Sequence, residues 1–230
     1  MLIGPQNLAV HVNHVRSRIS HAAKAAGRDP GSVTLVAVTK SKPAELVRSA
    51  ATAGVTDFGE NYLQEALGKI EELLPLGVHW HFIGGLQSNK TRAVAQHFDW
   101  VHSVDRLSVA RRLSEQRPFH APPLNVCIQV ALVPEPAKGG VEPAKLAELG
   151  LRTAELPRLV LRGLMCVPPP QPTPEAQRAM FARLRILLEE LNREGLKLDT
   201  LSMGMSADFE AAIAEGATLV RVGTAIFGSR

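Results

Sequence analysis

The sequence predicts a closed (β/α)8 barrel of the TIM type, with one extra helix in front of the first strand. Three observations predict it. Apolar, strand-like runs alternate with helical patterns from residue 33 onward, which implies a parallel sheet. There are eight such units in 230 residues, a size that suits one α/β barrel domain spanning 1–230. The first strand runs into "TKSKP" and lacks the G-x-G-x-x-G turn that usually opens a doubly wound open sheet.

The elements follow in order. Residues 6–26 read as a helix, because Leu8, Val12, Val15 and Ile19 recur at helical spacing and Gly27 can end it. "VTLVAVT" (33–39) is the first buried strand, and "AELVRSAATAG" (44–54) the helix after it. "TDFGEN" (56–61) and "YLQEALGKIEELL" (62–74) form the second unit. "HWHFIGG" (79–85) is a strand, followed by the helix "SNKTRAVAQHF" (88–98), which Ser88 can cap. "DWVHSV" (99–104) leads to "DRLSVARRLSEQ" (105–116), opened by Asp105. "LNVCIQVAL" (124–132) leads to "PAKLAELGLRTAEL" (143–156). "LVLRGLMCV" (159–167) precedes the strongest helix, 173–195. That helix has Thr173 as cap, Pro174 in its first turn, and Met180, Leu184, Leu187, Leu188 and Leu191 on one face, with Gly195 as its stop. "LDTLSMG" (198–204), "SADFEAAIAEG" (206–216) and "TLVRVGTAIFG" (218–228) complete the barrel. "CVPPPQPTPEAQ" holds five of the 16 prolines but lies between a strand and its helix, so it reads as a stiff rim loop and not a domain linker.

Composition excludes several classes. With 45% hydrophobic and 21% charged residues, the chain is an ordinary globular protein with enough apolar material for one core. The net charge of +4 permits weak attraction to anions. Basic residues are scattered, and seven Phe, two Trp and one Tyr offer few stacking surfaces, so nucleic-acid binding is not expected. Cys127 and Cys166 sit in apolar runs far apart, which gives no disulfide framework and no C-x-x-C. No run approaches 18 apolar residues and the start is not a secretory signal, so a cytoplasmic protein without membrane contact is expected.

In such a barrel, function gathers at the C-terminal ends of the strands. The residues there are Lys40, Gly59 to Asn61, Gly84 to Lys90, Met165, Ser202 to Ser206, and Arg221 to Thr224. A lysine ending an apolar strand sits in a partly dry site, where a free amine can form a Schiff base with an aldehyde. A snorkelling side chain is the other reading of Lys40. Alternation along "TLVRV" puts Leu219 and Arg221 on one face and Val220 and Val222 on the other, so Arg221 points into the barrel mouth. An internal ion pair with Glu60 or Asp208 is the other reading. Gly223 and Thr224 follow at once, and Ser206 can cap a helix. Together they form a phosphate cup of the kind these barrels build after their last two strands, or plain turn chemistry. An amine, an arginine and a phosphate cup describe a phosphorylated aldehyde, and pyridoxal 5'-phosphate (PLP) fits best.

The chain resembles the pyridoxal phosphate homeostasis proteins, whose barrel is similar to the N-terminal domain of alanine racemase. The matching segments are "LVAVTKSKP", "DFGENYLQEALGKI", "WHFIGGLQSNK", "VHSVDRL", "LRGLMCV" and "LSMGMSADFEAAIAEGATLVRVGTAIFG", in order over most of the chain. The resemblance implies that Lys40 is the Schiff-base lysine and that Asn61 lies beside the cofactor. It also implies that Arg221 contacts the ring nitrogen, and that Ser206, Gly223 and Thr224 hold the phosphate. The stretch "LVPEPAKGGV" matches loosely.

An arginine at the ring nitrogen disfavours its protonation and weakens the ring as an electron sink, which leaves racemisation as the accessible chemistry. A two-base racemase needs a second proton donor opposite the lysine. Alanine racemases take a tyrosine from an added domain of the partner subunit, and here the only tyrosine is Tyr62, read as helix packing. The expectation is therefore a monomeric carrier that buffers PLP and delivers it to apo PLP-dependent enzymes, without robust catalysis. A fold-type III amino-acid racemase is the alternative, and a class I aldolase a third reading. His79 and His81 share a face but lack a third metal ligand. His11, His14 and His21 read as a solvated helix face. Lys42, Lys90 and Lys138 sit in loops, and Lys42 is close enough to Lys40 to take part in cofactor transfer.

Overall fold

The computed structural model describes residues 5–133 and 139–228. Its eight strands close into a barrel in sequence order, every neighbouring pair parallel. They are β1 (Thr34–Val38), β2 (Asp57–Glu60), β3 (His79–Phe82), β4 (Trp100–Val104), β5 (Leu124–Gln129), β6 (Leu159–Met165), β7 (Thr200–Ser202) and β8 (Leu219–Val222). The ring closes where β1 pairs with β8, from Thr34 opposite Leu219 to Ala37 opposite Val222.

Helix α1 (Pro5–Ala25) precedes the barrel. After the successive strands come α2 (Ala44–Thr52), α3 (Leu63–Leu73), α4 (Thr91–His97), α5 (Leu107–Gln116), α6 (Pro143–Ala154), α7 (Pro174–Arg193), α8 (Phe209–Ala214) and the single turn α9 (Thr224–Phe227). The predicted fold class and all eight strand–helix units are present. The stripe read from the sequence in α1 is the buried one; that of α7 is buried at Leu184 and Leu191, with Met180, Leu187 and Leu188 partly buried and Phe181 taking a buried place beside them. Leu8, Val12, Val15, Ile19 and Ala23 of α1 are all buried. Thr173 caps α7 by accepting from the Ala176 N–H at 3.2 Å.

Three predicted caps differ. Ser88 opens a 3-10 turn (Ser88–Lys90), and α4 starts only at Thr91. Asp105 binds the Arg106 guanidinium at 2.7 Å, and α5 starts at Leu107. Ser206 does not cap α8; its hydroxyl accepts from the Ala225 N–H at 3.2 Å, in the first turn of α9.

Helix α1 covers the closing seam. Arg16 donates to the carbonyls of Ala53 and Gly54, just past the C-terminus of α2, at 3.0 and 2.7 Å. Arg18 binds Glu210 of α8 at 2.6 Å. In the loop after α1, Arg28 donates to the Ile213 carbonyl of α8 at 2.9 Å. One helix thus ties the elements that flank β1 to those that flank β8. Among the described residues no helix is long and apolar enough to cross a membrane.

Candidate functional site

A cavity of about 210 Å³ opens at the C-terminal ends of the strands. Its wall brings together all six predicted site residues: Lys40, Asn61, Ser206, Arg221, Gly223 and Thr224. Val38, Ile83, Val167 and Met205 supply the apolar part of the wall. Alternation along β1 explains Lys40: it lies two residues past Val38, on the same face. The Lys40 side chain is half-buried and has no hydrogen-bond or ion-pair partner among the described residues.

The backbone on either side of Lys40 is clamped. Thr39 donates its N–H to the Gly59 carbonyl at 2.9 Å and its hydroxyl to Glu60 Oε1 at 2.7 Å. Ser41 adopts a left-handed φ of 59°, and its N–H is held by Glu65 at 2.6 Å. Buried Lys69 joins the set, donating to the Thr39 carbonyl and to Glu60, both at 2.7 Å, and pairing with Glu65. Burial pushes the Glu60 carboxyl above its ordinary range, against the pull of Lys69 and Thr39. Lys42 is buried as well: its amine donates to the carbonyls of Phe227 and Gly228 at 3.2 and 3.3 Å. That amine holds the end of α9, and Lys42 is not part of the cavity wall.

Arg221 is 4% exposed and points inward, as the alternation predicted. Its acceptors are neutral: Ser202 Oγ at 2.7 Å and the Cys166 carbonyl at 2.8 Å. Neither Glu60 nor Asp208 forms an ion pair with it. Burial lowers its pKa from the ordinary arginine value. A guanidinium has five N–H donors, so several remain for a ligand. Asn61 contributes a buried Oδ1 with no partner among the described residues. Gly84 sets its position: a Cβ there would lie 2.2 Å from the Asn61 carbonyl oxygen, so only glycine lets the two strand ends approach. Ser206, Gly223 and Thr224 meet where the β7 loop touches the start of α9.

Tyr62 is 53% exposed and lies just before α3, so it does not pack on the helix and is not part of the cavity wall. Cys127 and Cys166 are buried free thiols, and burial pushes each up to about 12. No metal-holding cluster occurs among the described residues. Lys90 is half-buried outside the wall, and Lys138 lies outside the described residues. The sequence reading missed the clamp of Glu60, Glu65 and Lys69. It also missed a chain of polar side chains behind Arg221. The signals for that chain were the period-two spacing of His79 and His81 in "HWH" and a histidine inside the strand "DWVHSV".

Comparison with known proteins defines the class. The model of the alanine racemase N-terminal domain matches residues 10–230. Alanine racemase from Corynebacterium glutamicum shares the fold at TM-score 0.66 and 16% identity, over 95% of this chain and 62% of that one. At higher identity stand the pyridoxal phosphate homeostasis proteins of Pseudomonas aeruginosa, 60% identical over 97% of this chain and 96% of the relative, and of Escherichia coli K12, 50% identical over 97% of each. PipY of Synechococcus elongatus, solved with PLP bound, superposes at TM-score 0.86 with 40% identity, over 96% of this chain and all of that one. The chain belongs to the family of pyridoxal phosphate homeostasis proteins.

Proposed function

We propose that the protein binds PLP in this cavity, tethers it as a Schiff base on Lys40, and buffers or delivers it within the cell. The single observation that carries the reading is that all six predicted residues line one cavity. The donor set fits the molecule. An unpartnered amine suits an aldehyde, the hydroxyls and turn N–H groups of Ser206, Gly223 and Thr224 suit a phosphate, and the spare donors of Arg221 suit a ring nitrogen. The orphaned Asn61 Oδ1 leaves one more polar contact open to a ligand. PLP supplies an electrophilic aldehyde on an electron-withdrawing ring. The chain's own part is to present the amine, to keep the ring nitrogen unprotonated opposite a cation, and to exclude water with Val38, Ile83, Val167 and Met205.

The make-up of the wall supports a carrier over a racemase. Among the described lining residues Lys40 and Arg221 are the ionisable ones, and neither is a second acid–base group of the kind two-base racemisation uses. We place the protein in the cytoplasm as a monomer, with apo PLP-dependent enzymes as its acceptors. Borohydride reduction and peptide mass mapping of PLP-loaded protein will place the label on Lys40, and Lys40→Ala will lose both label and visible absorbance. Label on another lysine would overturn the tether. Amino-acid racemisation by the wild type, lost in Lys40→Ala, would overturn the carrier reading in favour of a racemase.

A further inference from the structure

Behind Arg221 a hydrogen-bonded chain crosses the barrel. Arg221 of β8 bonds Ser202 Oγ of β7 at 2.7 Å. Ser202 Oγ bonds His102 Nδ1 of β4 at 2.7 Å. His102 Nε2 bonds His81 Nδ1 of β3 at 2.9 Å, and His81 Nε2 bonds Asp57 Oδ1 of β2 at 3.0 Å. Strands β7 and β4 are not neighbours, so the Ser202–His102 bond spans the lumen. Ser202, His102 and His81 are fully buried. The first link lies at the cavity wall. The last, Asp57, lines a second groove at the opposite end of the barrel, with Arg16, Pro30, Thr34 and Thr56.

With both rings neutral, the two ends fix the direction of every bond between them. Arg221 has only donors, so Ser202 Oγ accepts from it. The ionised Asp57 has only acceptors, so His81 donates through Nε2. His81 Nδ1 then accepts, and His102 donates through Nε2. His102 Nδ1 accepts in turn, and the Ser202 hydroxyl donates to it. Both rings are then Nε2–H tautomers, the one neutral assignment that satisfies all four bonds. Burial supports this, since it lowers both histidine pKa values, that of His102 well below the ordinary one. Burial raises Asp57, but hydrogen bonds from His81 and Thr56 outweigh it and keep the carboxyl below its ordinary range. Trp100 stacks on His81 with ring centroids 5.5 Å apart, so the ring plane is fixed as well.

We infer that Ser202, His102, His81 and Asp57 are positioning residues: a one-way chain through which a carboxylate at the far end of the barrel holds Arg221 in the orientation that receives the cofactor ring. This deepens the PLP reading and rests on it. Arg221 is a buried cation with no direct ion pair among the described residues, and its guanidinium is anchored by the Cys166 carbonyl and by one hydroxyl whose own proton is committed to His102. Remove the anion and the histidines lose their reason to share one tautomer. The Ser202 proton can then turn toward another acceptor, and the fork of Arg221 is no longer preorganised.

The test uses Asp57→Asn, which keeps the shape at a site remote from the cavity. Side-chain ¹⁵N spectra of the PLP-free wild type will show His81 and His102 as single neutral Nε2–H tautomers. In Asp57→Asn both will become tautomer mixtures, and PLP will bind roughly fivefold or more weakly, a coupling typical of separated sites. At the other end Ser202→Ala will lose PLP affinity and Ser202→Thr will restore it, a readout that stands even if Asp57→Asn folds poorly. Unchanged PLP affinity in folded Asp57→Asn, or a Ser202→Ala protein that binds as the wild type does, would overturn the inference. Failure of the wild type itself to bind PLP would instead remove the reading of the cavity, and the tautomer spectra tell the two apart.

Discussion

At the scale of single residues, the contrast between Lys40 and Lys69 is instructive. Both follow ordinary sequence contexts, yet one faces a cavity without a partner and the other is 6% exposed among carboxylates. Lys40 was legible because it ends an apolar strand. Lys69 was not, because its spacing to Glu65 reads as a solvated pair on a helix, and its burial depends on Glu60 arriving from β2. Replacing Lys69 with Met leaves Glu60 buried and unpaired, which costs about 3–5 kcal/mol. Chemical denaturation of Lys69→Met will show that loss, and the double variant with Glu60→Gln will recover much of it. Gly84→Ala will lower both stability and PLP affinity, since its Cβ has no room beside the Asn61 carbonyl; isothermal titration checks the second effect. Arg221 was legible by alternation alone, but its partners were not. Ser202 and Cys166 lie 19 and 55 residues away in sequence, and only barrel closure brings them near.

At the scale of elements, periodicity carried the reading. The strands and the long helices α1 and α7 lie where their apolar spacing put them, because each buries one stripe against the barrel. The misplaced features were short-range ones. Ser206 has the residue type of an N-cap, but its hydroxyl turns to the Ala225 N–H across the barrel rim. A loop that builds a site takes its hydrogen bonds from the neighbouring loop, and local propensity does not see that loop. Helix α1 lies outside the eight strand–helix units, yet it buries Leu8, Val12, Val15, Ile19 and Ala23 against them. Leu8→Ala, at a fully buried position, will destabilise the protein by about 2–5 kcal/mol in a urea titration. The loss falls on the helix that packs against α2, α8 and α9.

At the scale of the whole molecule, the barrel axis is polar where many barrels are filled with aliphatic layers. That choice gives the fold a pH signature. His81 and His102 have folded-state pKa values below the ordinary 6.5, so the unfolded chain takes up protons that the folded one refuses. Their contribution is fully present above about pH 6.5 and is lost as the pH falls toward the folded values, at up to about 1.4 kcal/mol per pH unit for each ring. Melting temperatures will therefore fall from pH 7 to pH 5, and His102→Phe, where it folds, will flatten the slope. The raised carboxyls of Glu60 and Asp208 act in the opposite sense, favouring the fold as they protonate, which moderates the total. Fold class, strand order and the cavity positions of Lys40 and Arg221 were legible because each follows from one strand's own pattern, whereas Asn61 came only from the family resemblance. The axial chain was not, because it exists only once five strands stand in a ring. The stacking of Trp100 on His81 also makes the protein optically self-reporting. Of its two tryptophans, one lies flat against a ring of the axial chain. Its near-ultraviolet emission overlaps the absorbance of a bound pyridoxal chromophore, so cofactor loading and unloading can be followed by dimming and recovery of native fluorescence, with no dye attached.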